Sequence, residues 1–375
     1  MAKTPRSSAP AGTTATSELQ RPSAEVQYSE ELALLAQGEA DQPRPPGWRL
    51  TPRSVIAFIL GDQKQGIAGK FVGSRGLIET CVVTLATNRG LMLVGEPGTA
   101  KSWLSELLAA AISGDSTLTI QGSAGTTDDH IRYSWNYALL LAEGPGIRSL
   151  VPAPMHRGMR DGALVRFEEI TRCPVEVQDT LLSMLSDRVL HIPEILDEQR
   201  TLYARPGFNV IATANIRDRG VNEMSAALKR RFNFVTIPSI PDIAEEIALV
   251  VREADRLLVQ SGIQVRVPAD AAEVLVTAFR ELRRAQTADG QALEPMTTAM
   301  STAEAVSVAV AAVTRATYFR SGAIDGEALL EAMAGTAFKD VPEDRKRLAH
   351  YLQVSAKHRL APLWQQLIRA RTLIT

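Results

Sequence analysis

The chain has 375 residues, 45% hydrophobic and 22% charged, with 41 Lys plus Arg against 42 Asp plus Glu and a formal net charge of −1. That balance excludes a global field drawing the chain to nucleic acid or an anionic membrane, and two cysteines, Cys81 and Cys173, exclude a disulfide framework or a cysteine-rich metal site. No apolar stretch reaches the ~18 residues of a membrane span and the N-terminus lacks an apolar signal core, so a soluble, cytoplasmic globular protein with chain enough for two cores is expected.

Residues 1–50 are rich in Ser, Thr, Ala, Pro, Gln and Glu and include the run Gln42-Pro43-Arg44-Pro45-Pro46. Such a segment cannot bury enough apolar surface to offset its chain entropy, and it reads as a disordered tail in which only Glu30 to Ala36 suits a short helix. Across 51–241 short apolar runs alternate with helical periodicity, the pattern of an α/β domain. Strands are expected at Gly90–Val94, Ser116–Gln121, Ala163–Phe167, Phe208–Thr213 and Phe234–Ile237. Their near-continuous apolar character suits a parallel sheet covered on both faces, a three-layer αβα sandwich.

The first of these strands runs into Gly95-Glu96-Pro97-Gly98-Thr99-Ala100-Lys101-Ser102, and Leu104, Leu107, Leu108, Ala111 and Ile112 then mark one face of a helix. Strand, Gly-containing turn and helix in that order form a P-loop, whose backbone N–H groups converge on a nucleotide phosphate. Lys101 would neutralise the β- and γ-phosphates of ATP, and the Ser102 hydroxyl would ligate Mg²⁺. One position departs from G-x-x-x-x-G-K-[ST]: Ala100 replaces the last glycine, which is tolerable if that residue has ordinary helical dihedrals.

The apolar strand Ala163–Phe167 ends in Glu168 and Glu169, and it contains one foreign charge, Arg166. Beside a phosphate loop, Glu168 would hold the Mg²⁺ hydration shell and Glu169 would polarise the attacking water. Without one, the pair is two solvated acids in a turn. Glu168 also stands where the shorter Asp is usual. Asn215, closing the strand that starts at Phe208, either hydrogen-bonds the lytic water and γ-phosphate or makes an ordinary turn. Arg230 and Arg231 end a helical stretch, where a guanidinium either reaches a neighbouring subunit's γ-phosphate or stays a solvated helix terminus. After Pro241 the strands stop. Helical stripes begin at Ile243 and continue at Asp270–Arg284, Met300–Ala316, Gly326–Ala337 and Glu343–Ile374, an all-helical domain over 242–375.

From about Ser74 to Ser301 these segments resemble the AAA+ ATPase superfamily, and within it the MoxR and dynein-related branch. The resemblance rests on Gly95 to Ser102 with Ala before the lysine, on Glu168-Glu169-Ile170-Thr171-Arg172-Cys173-Pro174, and on Val210 to Asn215 as a sensor 1 strand. It implies a helical lid after the α/β domain, an ATPase using ATP and Mg²⁺, and a ring of six copies in which Arg231, or else Arg230, is the trans-acting arginine finger. It also implies a hairpin with arms at Arg188–Ile192 and Arg200–Tyr203, and chaperone-like remodelling of a separate partner bearing a von Willebrand A domain. The lid helix start that resembles the family's sensor 2, Ser301-Thr302-Ala303, has no arginine. Rival readings are the motor subunit of a metal chelatase, a nucleic-acid translocase, against which the neutral composition argues, and a non-hydrolysing nucleotide-dependent scaffold.

Overall fold

The computed structural model describes residues 20–39, 42–196, 200–215, 222–320, 322–336, 341–355 and 358–374. The chain divides into two units, the first running to Val94 and resuming at Lys101–Thr236, the second made of Gly95–Ala100 and the chain from Ile237 onward.

Unit 1 opens with α1 (Ala24–Gln27), α2 (Ser29–Gly38), α3 (Pro52–Leu60) and α4 (Arg75–Leu85). After β1 (Gly90–Gly95) come α5 (Lys101–Ser113) and β2 (Thr119–Gln121), then α6 (Asp128–Ile131), β3 (Tyr133–Trp135), α7 (Tyr137–Glu143), β4 (Leu150–Pro152) and α8 (Pro154–Asp161). The unit closes with β5 (Leu164–Glu168), α9 (Val175–Asp179), α10 (Leu181–Ser186), β6 (Val189–His191), β7 (Thr201–Tyr203), β8 (Asn209–Asn215), α11 (Ala226–Lys229) and β9 (Phe232–Thr236).

Five of these strands form one sheet in the order β2-β5-β8-β1-β9, with β1 on β9, β2 on β5 and β5 on β8 in parallel register. They are the five strands expected from apolarity, with ends shifted because hydrogen bonding, not hydrophobicity, sets where a strand stops. Leu164, Val165, Phe167, Val210 and Ala212 are fully buried, as a sheet covered on both faces requires. The antiparallel pair β6–β7, with Leu190 opposite Leu202, supplies the expected hairpin arms. A second pair, β3–β4, has strands of three residues, too short for periodicity to reveal.

The reading of 1–50 as a disordered tail is corrected for 20–39 and 42–50; residues 1–19 and 40–41 lie outside the described residues. The segment has few apolar side chains, but Ala24, Leu35, Trp48 and Leu50 are all buried. Its polar groups also find partners: Glu106 accepts from the Ala24 N–H at 3.2 Å, Ser116 Oγ donates to Glu25 at 2.7 Å, and Lys70 Nζ lies 2.5 Å from Glu31. Tyr28 packs edge-on against Phe58, ring centroids 5.9 Å apart. Composition measures whether a segment can build its own core, and this one docks on a core built by the rest of unit 1.

Unit 2 contains α12 (Ile243–Gln260), α13 (Ala269–Arg284), α14 (Thr302–Phe319), α15 (Gly326–Thr336), α16 (Pro342–Ser355) and α17 (Pro362–Ala370). Asp242 starts α12 by accepting from the Ala244 and Glu245 N–H groups at 2.7 and 3.0 Å, and a Ser301–Glu304 capping box starts α14. The single helix expected over Glu343–Ile374 is two, because Pro362 takes the first position of a new helix and disfavours helical dihedrals in the residue before it. Ala337, the expected end of α15, lies outside the described residues. Val250, Phe279, Val313, Leu330, Tyr351 and Leu367 share one core. Beside it, Glu246 is 1% exposed and accepts from Arg280 Nη1 at 2.7 Å and Thr302 Oγ1 at 2.6 Å, with Arg283 Nη2 at 3.3 Å.

Among the described residues no helix is long and apolar enough to cross a membrane. Both thiols are free and buried, and burial pushes the Cys81 thiol up to about 12, so almost no thiolate exists near neutrality. Iodoacetamide is therefore expected to leave both cysteines unmodified in the native protein and to alkylate both in urea. Rapid modification of Cys81 without denaturant, read by mass spectrometry, would contradict this packing.

Candidate functional site

Because β5, β8 and β1 are sheet neighbours, the carboxyl ends of β5 and β8 and the start of α5 meet at one edge of unit 1. Lys101 and Ser102 form the first turn of α5, where unpaired N–H groups and the helix dipole favour an anion. Glu168, last in β5, is buried, and its carboxylate accepts four hydrogen bonds. Oε2 accepts from Ser102 Oγ at 2.6 Å and Thr213 Oγ1 at 2.8 Å; Oε1 accepts from Ser105 Oγ at 2.6 Å and Arg166 Nη2 at 2.9 Å. The structure thus brings together the two residues expected to handle Mg²⁺. A hydroxyl and one carboxylate, both hard oxygen donors beside the N-terminus of α5, fit a cation that takes one or two carboxylates and completes its shell with phosphate and water oxygens.

Arg166, the foreign charge in β5, has a partner on every side. Nε donates to Ser105 Oγ at 2.9 Å, Nη1 to the Ser116 carbonyl at 3.0 Å, and Nη2 to the Ser102 carbonyl at 3.0 Å as well as to Glu168. Glu106 stands 3.8 Å from Nη1 and itself accepts from Arg21 at 2.8 Å.

Glu169 follows Glu168 with φ at 53°, in the left-handed region, and its N–H donates to Thr213 Oγ1 at 2.9 Å. Its half-exposed carboxylate forms an ion pair with Arg172 at 2.6 Å. Asn215 ends β8, half-buried, two residues beyond Thr213 and so on the same strand face. Arg231 lies elsewhere. Its carbonyl accepts from the Gly90 N–H at 2.9 Å, at the amino end of β1, and its Nε donates to Ser186 Oγ at 2.5 Å. It is therefore removed by the length of β1, about 16 Å of strand rise, from the edge that holds Glu168 and Asn215. Arg230 is exposed.

The first six residues of the loop, Gly95–Ala100, group with unit 2. There Thr99 Oγ1 donates to the Glu96 carbonyl at 3.0 Å, closing the turn. Gly98 has φ at 76°, and a Cβ on it would come 2.2 Å from the Ser301 Cβ, so the position admits no side chain. Ala100 has φ at 61°, so the condition on which its methyl group was tolerable, ordinary helical dihedrals, is not met. A left-handed Ala costs about 1–2 kcal/mol. Ala100→Gly is accordingly expected to raise stability by about 1 kcal/mol in urea unfolding, because the relieved strain exceeds the added chain entropy of glycine. A variant less stable than wild type would contradict the strained conformation.

The sequence does not show that Thr213, Ser105 and Arg166 converge on Glu168. Thr213 was readable from strand alternation back from Asn215, and Ser105 from its place one helical turn after Ser102. Arg166 stands out as a charge in an apolar strand, but its partners other than Glu168 lie outside that strand.

The family described as "AAA domain (dynein-related subfamily)" matches residues 90–232, and "YehL-like AAA+ ATPase C-terminal domain" matches 244–375. The uncharacterized protein YehL of Escherichia coli (strain K12) is 55% identical over 356 residues, 94% of this chain and 97% of that protein. The uncharacterized protein SH1500 of Staphylococcus haemolyticus (strain JCSC1435) is 26% identical over 161 residues, 43% of this chain and 60% of its own length. Among solved structures, NtrX from Brucella abortus in complex with ATP is 15% identical with a TM-score of 0.46, the match covering 77% of this chain and 63% of NtrX.

Proposed function

Since the chain belongs to the YehL-like family of AAA+ ATPases, with a dynein-related AAA domain followed by that family's C-terminal domain, we propose that it hydrolyses ATP with Mg²⁺ in an oligomeric ring and uses the turnover to remodel a separate partner protein. The observation that carries the reading is the 2.6 Å contact between Ser102 and the buried Glu168, one residue from Lys101.

Gly95 to Ser102 cradles the triphosphate, and Lys101 offsets its negative charge. Bound through Ser102 and Glu168, Mg²⁺ would supply Lewis-acid polarisation of the phosphoryl oxygens. Glu169 takes a proton from the attacking water, and Asn215 orients that water. Arg231, at the far edge of its own sheet, suits a neighbouring copy's γ-phosphate better than its own, and this supports a ring, six-membered by likeness to MoxR proteins. The same likeness suggests a client with a von Willebrand A domain. A non-hydrolysing scaffold is the second reading, favoured by the Glu169–Arg172 ion pair, which holds the proton acceptor on another partner.

The test is phosphate release from radiolabelled ATP by the full chain, across protein concentration, with assembly mass measured in parallel. Turnover that rises with assembly supports the proposal. Tight ATP binding with no release at any concentration would replace it by the scaffold.

A further inference from the structure

We propose that Arg166 is a positioning residue that seats Glu168 for the divalent cation, and that the Arg166–Glu168 pair does the work usually given to a shorter Asp. The inference rests on the ATP and Mg²⁺ reading of this edge and extends it to a residue that touches neither.

Glu has one more methylene than the Asp usual at this position, so its carboxylate reaches further and has one more rotatable bond to fix. Its four donors divide that task. Ser105 and Arg166 hold Oε1, leaving Oε2 with Ser102 and Thr213. Arg166 lies two residues before Glu168 on β5, hence on the same face. Its planar fork does more than neutralise charge: Nη2 donates to both Glu168 Oε1 and the Ser102 carbonyl, at 2.9 and 3.0 Å, while Nε grips Ser105. One guanidinium therefore fixes the carboxylate and the backbone of the serine that carries the hydroxyl ligand. Arg166 is itself held from behind, by the Ser116 carbonyl at 3.0 Å and by Glu106 at 3.8 Å. Lys in its place would keep the charge and lose the fork; Met would lose both.

The geometry makes a prediction that general destabilisation does not. If Arg166 is needed because Glu168 is long, then shortening Glu168 should remove the need. The experiment uses the full chain as wild type, Arg166→Met, Arg166→Lys, Glu168→Asp and the double variant Arg166→Met with Glu168→Asp. Mn²⁺ is titrated into each ATP complex and free Mn²⁺ is read by electron paramagnetic resonance, with ATP affinity measured separately by a fluorescent analogue and folding checked by circular dichroism. Both Arg166 variants should bind Mn²⁺ about 10-fold more weakly with ATP affinity changed less than about threefold, and the double variant should recover to within about threefold of wild type. If Arg166→Met does not fold, Arg166→Lys and the double variant carry the same comparison. Wild-type Mn²⁺ affinity in the Arg166 variants would overturn the proposal, as would a loss that Glu168→Asp does not restore. Failure of the wild-type chain to bind Mn²⁺ with ATP at all would overturn the phosphate-loop reading beneath it, and the proposal with it.

Discussion

Glu169→Gln is expected to bind Mg-ATP within about threefold of wild type while its turnover falls by about 10²-fold or more, the usual worth of a positioned general base. The amide keeps the size of the carboxylate and can still accept from Arg172, so the turn at φ 53° has no new reason to rearrange. What it loses is basicity. The adjacent acid should behave differently. Glu168 is buried with four donors converging on it, so Glu168→Gln presents an N–H₂ group to donors and perturbs both cation binding and folding. Phosphate release beside equilibrium nucleotide binding separates the two variants. Equal turnover by Glu169→Gln and wild type would remove Glu169 from the chemistry.

The second large effect concerns unit 2. Glu246→Ala is expected to destabilise the protein by about 3–5 kcal/mol, because it strands Arg280 in a site where that side chain is 7% exposed. Arg280 would retain the Ile240 and Pro241 carbonyls, at 3.1 and 2.6 Å, but no counter-charge on Glu246. Thr302 and Arg283 would each lose an acceptor, loosening the junction of α12, α13 and α14. Urea unfolding monitored by helical circular dichroism measures the loss. Replacing the pair together, Glu246→Leu with Arg280→Met, should restore most of it, since an apolar pair removes the stranded charge along with its desolvation cost. A Glu246→Ala loss below about 1 kcal/mol would mean that water reaches Arg280. Beside Ser301-Thr302-Ala303, where no arginine occurs, Arg280 and Arg283 of the same unit both hold Glu246.

Why some of this was legible and some not follows from the range of each interaction. The five strands were readable because burial on both faces leaves an unbroken apolar run. The segment Gly95 to Ser102 stands out because its residues are contiguous, and Glu168, Glu169 and Asn215 because they lie where apolar runs end. The order of 20–39 and 42–50 is not legible locally because it comes from groups at Lys70, Trp103 and Glu106, outside any local window. The left-handed dihedral of Ala100 is not legible either, because the turn sets it and the residue itself does not.

By itself, then, the sequence determined the strand–loop–helix grammar, the two acids after β5 and the change to helices beyond Pro241, all of which are local patterns of period, spacing and burial. Only the tertiary structure decided that Arg166 belongs to Glu168, that Thr213 completes the carboxylate's shell and that Arg231 stands at the opposite edge of its sheet. Those facts depend on which strands are neighbours and in what register, and parallel register is fixed by crossovers tens of residues long, which no short stretch of sequence encodes.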